Sequence, residues 1–126
     1  MRKFGLAVFV LMFMSVVSSS AFAKPEKRFD QESYTMRELT FDNLRVGYKV
    51  FREVCKSCHS RGNDKGARFL HTESKTMRAW NRVFSERYPK CAANGAWKSI
   101  SNDDLAKLND YLFANAVDTV DANCYL

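Results

Sequence analysis

The feature that most constrains this chain is a pair of cysteines three residues apart with a histidine directly after the second. It occurs once, in the run Cys55-Lys56-Ser57-Cys58-His59. Two thiols at this spacing can bond to each other, bind a metal ion, or attach a prosthetic group covalently. The fold must place both thiols and the imidazole together, so the meaning of the run depends on the compartment and on the elements around it.

The N-terminus has the layout of a secretory signal. Arg2 and Lys3 precede an apolar stretch from Phe4 to Val17, and three serines lead to Ala21-Phe22-Ala23. This is the charged, apolar and small-residue order of a cleavable signal peptide. An uncleaved anchor is the alternative, but the apolar stretch is shorter than the roughly 18 residues that indicate a membrane span. We therefore interpret residues 1–23 as a signal peptide and expect a protein that is periplasmic or otherwise exported after cleavage.

Residues 24–126 would form the mature chain, which is too short for a multi-domain enzyme. Loss of the signal lowers the formal net charge from +6 to +4, because it removes two basic residues. Domains of this size have a modest core and often gain stability from a covalent or metal cross-link. We interpret residues 24–40, which are polar and lack a clear period, as an extended lead-in, and residues 41–126 as the folded domain.

Three helices are indicated by apolar spacing. Leu44, Tyr48, Phe51 and Cys55 mark the first, which Thr40 or Asp42 would cap and which runs directly into the cysteine pair. A second is expected over about residues 74–88, ending before Pro89, and a third after residues 101–104. Residues 90–99 are expected to form a loop. Since no segment alternates convincingly as a strand, the predicted fold is all-α.

The run at residues 55–59 is the signature of covalent haem attachment. Cys55 and Cys58, one helical turn apart, can each add to one of the two vinyl groups of haem, and His59 then lies where it can bind the iron. A thioredoxin-type redox pair expects a preceding strand and a βαβ context, neither of which is visible. A structural zinc site would need two further ligands, which His71, Cys91 and Cys124 do not offer as a second compact pair.

The chain resembles the class I c-type cytochromes over about residues 42–116. Gly47-Tyr48-Lys49-Val50-Phe51 is similar to their N-terminal helix, and Leu105, Leu108, Tyr111 and Leu112 are similar to their C-terminal helix. The resemblance implies a small domain of about three main helices packed around one covalently bound haem c, with His59 as proximal iron ligand. It implies transfer of single electrons between redox partners and no enzymatic activity, and no nucleophile–base constellation is visible in the sequence.

The second iron ligand departs from the resemblance. The family usually supplies a Met from the loop before the last helix, but this loop contains neither Met nor His. Met77 and His71 are the main candidates, and Met36 is a third. An open iron, or a weak ligand such as Asn94 or Lys90, remains an alternative and would suit binding of a small gas or peroxide.

Two cysteines remain beyond the motif. In an oxidising compartment Cys91 and Cys124 are expected to form a disulfide. It would close a loop of about 34 residues and contribute roughly 3–4 kcal/mol in the chain-entropy model. The alternative is that Cys91 ligates the iron as a thiolate.

Charge is concentrated near the motif. Residues 55–90 carry nine basic and three acidic side chains, whereas residues 91–126 carry two basic and five acidic ones. A basic rim around an exposed haem edge would attract an acidic redox protein, although the same charges could simply be solvated or bind the haem propionates. Nucleic acid is not an expected partner, and a membrane would be involved only through a redox complex.

The remaining alternative to a haem protein is a non-haem disulfide or zinc module.

Overall fold

A computed structural model of the protein describes residues 24–119. The predicted signal peptide, residues 1–23, and Cys124 lie outside the described residues. The elements in chain order are two strands, β1 (Lys27–Asp30) and β2 (Thr35–Glu38), followed by helices α1 (Phe41–Val50), α2 (Lys56–Cys58), α3 (Met77–Glu86), α4 (Lys90–Ala93) and α5 (Asn102–Ala114). A π-helical turn over Phe51–Cys55 joins α1 to α2, and a 3₁₀ turn over Thr72–Ser74 precedes α3.

The three main helices begin at side-chain caps that the sequence supplies. The Thr40 hydroxyl accepts a hydrogen bond from the Asn43 amide at 3.3 Å, Thr76 does the same for Ala79 at 3.2 Å, and Ser101 for Asp104 at 3.1 Å. Each cap satisfies an amide that has no partner within its own helix. Helix α3 ends at Glu86, since the next residue adopts a left-handed conformation with φ of 48°. The predicted helices are confirmed, with bounds a few residues tighter at α3.

Helices α1 and α5 make the most extensive helix contact in the described part of the chain. Gly47 lies at the crossing: a Cβ there would lie 2.6 Å from the Cβ of Tyr111 and 2.8 Å from the carbonyl carbon of Lys107. Real Cβ atoms do not approach other atoms so closely, so only glycine permits this separation of the two helices. The N-terminal and C-terminal helices therefore cross through a position that has no side chain.

The core lies between α3 and α5, with Phe51 from the π-helical turn against it. It is formed by Phe51, Trp80, Val83, Phe84, Leu105, Leu108, Leu112 and Ala116. Leu108 and Leu112 are both only 1% exposed and lie one turn apart on α5. Their burial makes α5 the central support for the elements around it.

The expectation of an all-α fold needs correction, because residues 24–40 contain a β-hairpin. Strands β1 and β2 pair in antiparallel register, with Arg28 opposite Arg37 and Phe29 opposite Met36. Along β1 the buried positions are Arg28 and Asp30, which are charged. The sequence of such a strand has no alternation of apolar residues, because its inward face is polar. The fold is mostly helical with one small two-stranded sheet.

The hairpin is held to α5 by buried charges. The Arg28 Nε donates to Asp110 Oδ1 at 2.6 Å, and the Arg37 guanidinium donates to both oxygens of the same carboxylate. Arg28 is 1% exposed and Asp110 is fully buried. Arg28 also donates to the Ala106 carbonyl at 3.0 Å, which extends its contacts along α5. One carboxylate thus binds an arginine of each strand and ties the sheet to α5.

Candidate functional site

The cysteine pair begins at the last residue of the π-helical turn. Wider turns of this kind occur mostly as single insertions in α-helices and are frequent at functional sites. Here the turn ends at Cys55, whose carbonyl accepts the His59 amide at 2.9 Å. That hydrogen bond spans α2 and fixes the helical spacing of the three motif residues. Cys55, Cys58 and His59 all line one cavity.

The imidazole of His59 is oriented by a backbone carbonyl. Its Nδ1 lies 2.7 Å from the carbonyl oxygen of Arg68, close enough for Nδ1–H to donate a hydrogen bond. With the proton on Nδ1, the lone pair is on Nε2, the atom available to bind a metal. A histidine oriented in this way is typical of metal ligands, whose second nitrogen usually donates to a carbonyl or carboxylate.

The Arg68 carbonyl is brought to His59 by a loop that Asn63 closes. The Asn63 amide nitrogen donates to the carbonyls of Ser60 and Ala67 at 2.9 and 2.7 Å. Its amide oxygen accepts from the backbone nitrogens of Lys65 and Ala67 at 3.0 and 3.2 Å. One side chain therefore satisfies four polar groups of this loop. The spacing of the motif residues gives no sign that this loop positions the histidine.

The cavity into which the motif projects has a volume of about 340 Å³ and a mostly apolar lining. Trp80, Val83 and Phe84 from α3 and Leu108 and Leu112 from α5 form its deep part. Cavities of roughly 300–1,000 Å³ with apolar linings are typical of cofactor sites. The cavity extends into the core of the domain. A group bound here would therefore pack against core side chains rather than lie on the surface.

The surroundings of the Cys55 thiol disfavour its ionised form. Burial, and secondarily the neighbouring Cys91, raises the pKa of the Cys55 thiol to about 12. This thiol is therefore neutral at physiological pH. Redox-active C-x-x-C pairs need a lowered thiol pKa, because the thiolate is the nucleophile. The local environment thus opposes the redox-dithiol alternative.

Three of the candidates for the second iron ligand lie outside the lining of this cavity. Met77 is half-buried at the start of α3, where it packs against the core and its amide donates to Asp118 Oδ1 at 2.7 Å. His71 is exposed, caps the 3₁₀ turn and stacks on Phe69 with ring centroids 6.4 Å apart. Met36 is 59% exposed on β2. None of these three residues is part of the cavity lining.

The weaker candidates of the loop before α5 also lie away from the lining. The Asn94 side chain accepts a hydrogen bond from the Ala96 amide at 3.1 Å, and Lys90 begins α4. The same loop nevertheless contributes to the cavity wall through Cys91 and Trp97. Cys91 forms no disulfide with another described residue. Its expected partner Cys124 is outside the described range, so that pairing stays a prediction.

Positive charge lies at the edge of the cavity. Arg68 and Lys75 are both part of the lining, and no ion pair of either is found within residues 24–119. Lys56 lies next to the motif, where its ammonium donates to the Leu70 carbonyl at 2.8 Å and sits 4.0 Å from the ring centroid of Phe69. The rim therefore offers cations to a bound group that carries anionic substituents.

Trp80 and Trp97 have structural roles in this part of the molecule. The indole nitrogen of Trp80 donates to the Thr72 carbonyl at 2.7 Å, a hydrogen bond that is buried. Trp97 stacks on Phe84 with centroids 5.2 Å apart. Both residues line the cavity with their aromatic surfaces, and Trp80 uses its polar atom within the protein.

Comparison with protein-family models, with curated proteins and with solved structures finds no match to the chain. Within residues 24–119 no group of three or more His, Cys, Asp or Glu side chains is arranged to hold a bare metal ion. The helices described here include none with the length and apolar character needed to cross a bilayer.

Proposed function

We propose that this chain is an exported monohaem c-type cytochrome that carries single electrons between redox proteins. One observation carries the proposal: Cys55, Cys58 and His59 face the same apolar cavity, and the imidazole is oriented with Nε2 free. The sequence motif requires these three groups to converge, and the cavity provides space for a flat apolar group beside them. The residues present therefore fit a covalently attached haem.

The two thiols would hold the haem through thioether bonds. Each S–H would add across one vinyl double bond of the haem, with the sulfur bonded to one vinyl carbon and the hydrogen to the other. No oxidant or reductant is consumed in this addition. His59 would bind the iron as proximal ligand, with the Arg68 carbonyl keeping the proton on Nδ1.

When bound, haem iron supplies one-electron chemistry, and the protein sets its potential through ligands, burial and hydrogen bonds. Trp80, Leu108 and Leu112 exclude water from the deep part of the cavity. Arg68 and Lys75 at its edge would bind the two propionates. What the chain would contribute is attachment, orientation and a low-dielectric surrounding for the haem.

The basic excess of residues 55–90 supports an acidic redox partner. Attraction between opposite charges speeds association and weakens as salt screens it. We expect the rate of electron transfer to an acidic partner to fall as ionic strength rises. A rate that does not change with salt would remove this partner class and would leave haem binding unaffected.

Attachment is tested by producing the full chain in a bacterial host with the machinery that matures c-type cytochromes. We expect pigment that remains with the polypeptide on a denaturing gel. The double variant Cys55→Ala/Cys58→Ala should lose the covalent pigment, whereas Ser57→Ala is the matched control. Ser57 lies inside the motif but is exposed and not part of the cavity lining, so its variant should retain the pigment.

Two outcomes would contradict the proposal. Covalent pigment in the double variant would place the attachment elsewhere, and a colourless wild-type chain would remove haem altogether. Stoichiometric zinc in the colourless chain would favour the structural zinc alternative. A reversible Cys55–Cys58 disulfide without metal would favour the redox module.

A further inference from the structure

The wall of the cavity that comes from the loop between α3 and α5 contains a third cysteine. Helix α4 is a single turn held by backbone hydrogen bonds from Ala92 and Ala93 to the Pro89 carbonyl at 3.0 and 3.2 Å. The Asn94 amide continues it by donating to the Lys90 carbonyl at 2.8 Å. Proline fixes φ at the start of this turn, so the position of Cys91 is constrained from both sides.

Cys91 and His59 reach the same cavity from different parts of the chain. His59 follows α2, whereas Cys91 lies on α4, more than thirty residues later. The Cys91 thiol is also near enough to Cys55 to influence it electrostatically. The cavity is therefore bordered by a histidine and a third cysteine that the attachment chemistry does not use.

Few other side chains in the lining can donate a lone pair to iron. Apart from the motif, the described lining contains Cys91, Lys75 and Tyr88 as donors of this kind. The Lys75 ammonium lies 5.9 Å from the Trp80 ring centroid, and Tyr88 is 51% exposed. Cysteine thiolate is an established axial ligand of haem iron, and soft sulfur ligands suit iron centres. Cys91 combines this chemistry with a half-buried position in the wall.

We propose that the sulfur of Cys91 is the second axial ligand of the iron, opposite His59. The inference rests on the proposed function, since it requires haem in this cavity. On ligation the thiol releases its proton to solvent and a sulfur–iron bond forms, with no change in oxidation state. The assignment excludes the disulfide expected between Cys91 and Cys124, because one sulfur cannot serve both.

Spectra of the ferric holoprotein test the assignment. We expect a low-spin ferric signal by electron paramagnetic resonance and a thiolate-to-iron charge-transfer band. Cys91→Ser should shift the ferric haem toward high spin and speed carbon monoxide binding to the ferrous form by more than tenfold. Cys91→Met should raise the reduction potential, because a thioether favours the ferrous state more than a thiolate does.

Met77→Leu and His71→Ala are the matched controls, and both should keep the wild-type spectrum. If Cys91→Ser and Cys91→Met both retain the wild-type spin state, potential and carbon monoxide rate, Cys91 is not the ligand. A change confined to Met77→Leu or to His71→Ala would assign that residue instead. A Cys91–Cys124 disulfide found by peptide mapping of the holoprotein would also overturn the proposal.

Failure of the ligand assignment can be distinguished from failure of the proposed function. If haem is covalently attached and its spectra do not change when Cys91 is replaced, the ligand assignment is refuted and the proposed function stands. Absence of covalent haem from the wild-type chain refutes both. Circular dichroism of each variant shows whether its fold is retained, and Cys91→Met provides a second replacement of similar apolar character if Cys91→Ser fails to fold.

Discussion

Replacing Gly47 with alanine tests whether the crossing of α1 and α5 holds the domain together. The added Cβ would lie 2.6 Å from the Tyr111 Cβ and 2.8 Å from the carbonyl carbon of Lys107. The second of these atoms belongs to the backbone of α5 and cannot rotate away. The two helices must therefore separate or tilt to admit one methyl group.

The expected cost combines two opposing effects. Overpacking of a well-packed contact costs about 1–3 kcal/mol and sometimes more. Alanine in place of glycine within a helix raises the free energy of unfolding by about 1 kcal/mol. Because the contact is with main chain, we place the overpacking cost at or above the upper end and expect a net loss of about 2 kcal/mol. For a domain of this size that loss lowers the melting temperature by roughly 8–16 °C.

Urea and thermal unfolding of the holoprotein measure this loss. Lys49 is exposed on the same helix, so Lys49→Gly compared with Lys49→Ala gives the effect of the alanine–glycine difference without a clash. We expect Lys49→Ala to be the more stable of that pair while Gly47→Ala is less stable than wild type. If Gly47→Ala equals or exceeds the wild type in stability, the close crossing is not a constraint and the reasoning fails.

Three further predictions concern other parts of the structure. Asn63→Ala should loosen the loop that orients His59, so we expect a shifted haem spectrum with little change in far-ultraviolet circular dichroism. An unaltered haem spectrum would show that this loop does not hold His59 in place. Asp110→Ala should cost about 3–5 kcal/mol by urea unfolding, because two arginines lose their buried carboxylate. Asp103→Ala breaks an exposed pair with Lys107 and should cost far less. Equal losses in the two variants would contradict the buried cluster. Burial raises the pKa of Tyr111 above its ordinary 10.0, so the folded protein keeps this phenol protonated at pH values where the unfolded chain ionises. The resulting contribution to the free energy of unfolding is complete below pH 10.0 and is lost as pH rises through the folded pKa. Tyr111→Phe should reduce this fall of stability with pH in unfolding measurements.

Much of the helical fold could be predicted because its signals are local. Thr40 and Ser101 sit directly before helical stripes, and Leu105, Leu108 and Leu112 repeat at a period that indicates one buried face. The β-hairpin could not be predicted in the same way. Its buried positions on β1 are Arg28 and Asp30, and Arg28 is paired with Asp110 some eighty residues later. No local pattern encodes a charged residue that is buried by a distant partner.

The candidate site shows the same division. The motif at residues 55–59 is contiguous, so its convergence on one cavity was expected from spacing alone. The position of Cys91 in the cavity wall depends on how the loop before α5 folds against α3, which spacing does not give. Met77 lies on the same helical stripe as Trp80 and Phe84 and packs against the core, but unlike those two residues it is not part of the cavity lining. Its role as a ligand remains a prediction that the variants described above will test.

The central claim is that haem is bonded to Cys55 and Cys58 through sulfur. Intact-mass spectrometry of the full chain, matured in a competent host and then denatured and extracted with acidified acetone, tests it most directly. We predict one species heavier than the signal-cleaved polypeptide by a single haem, with the added mass mapped to the peptide that contains residues 55–59. A chain at its unmodified mass after that treatment, with pigment in the acetone or none at all, would contradict the account.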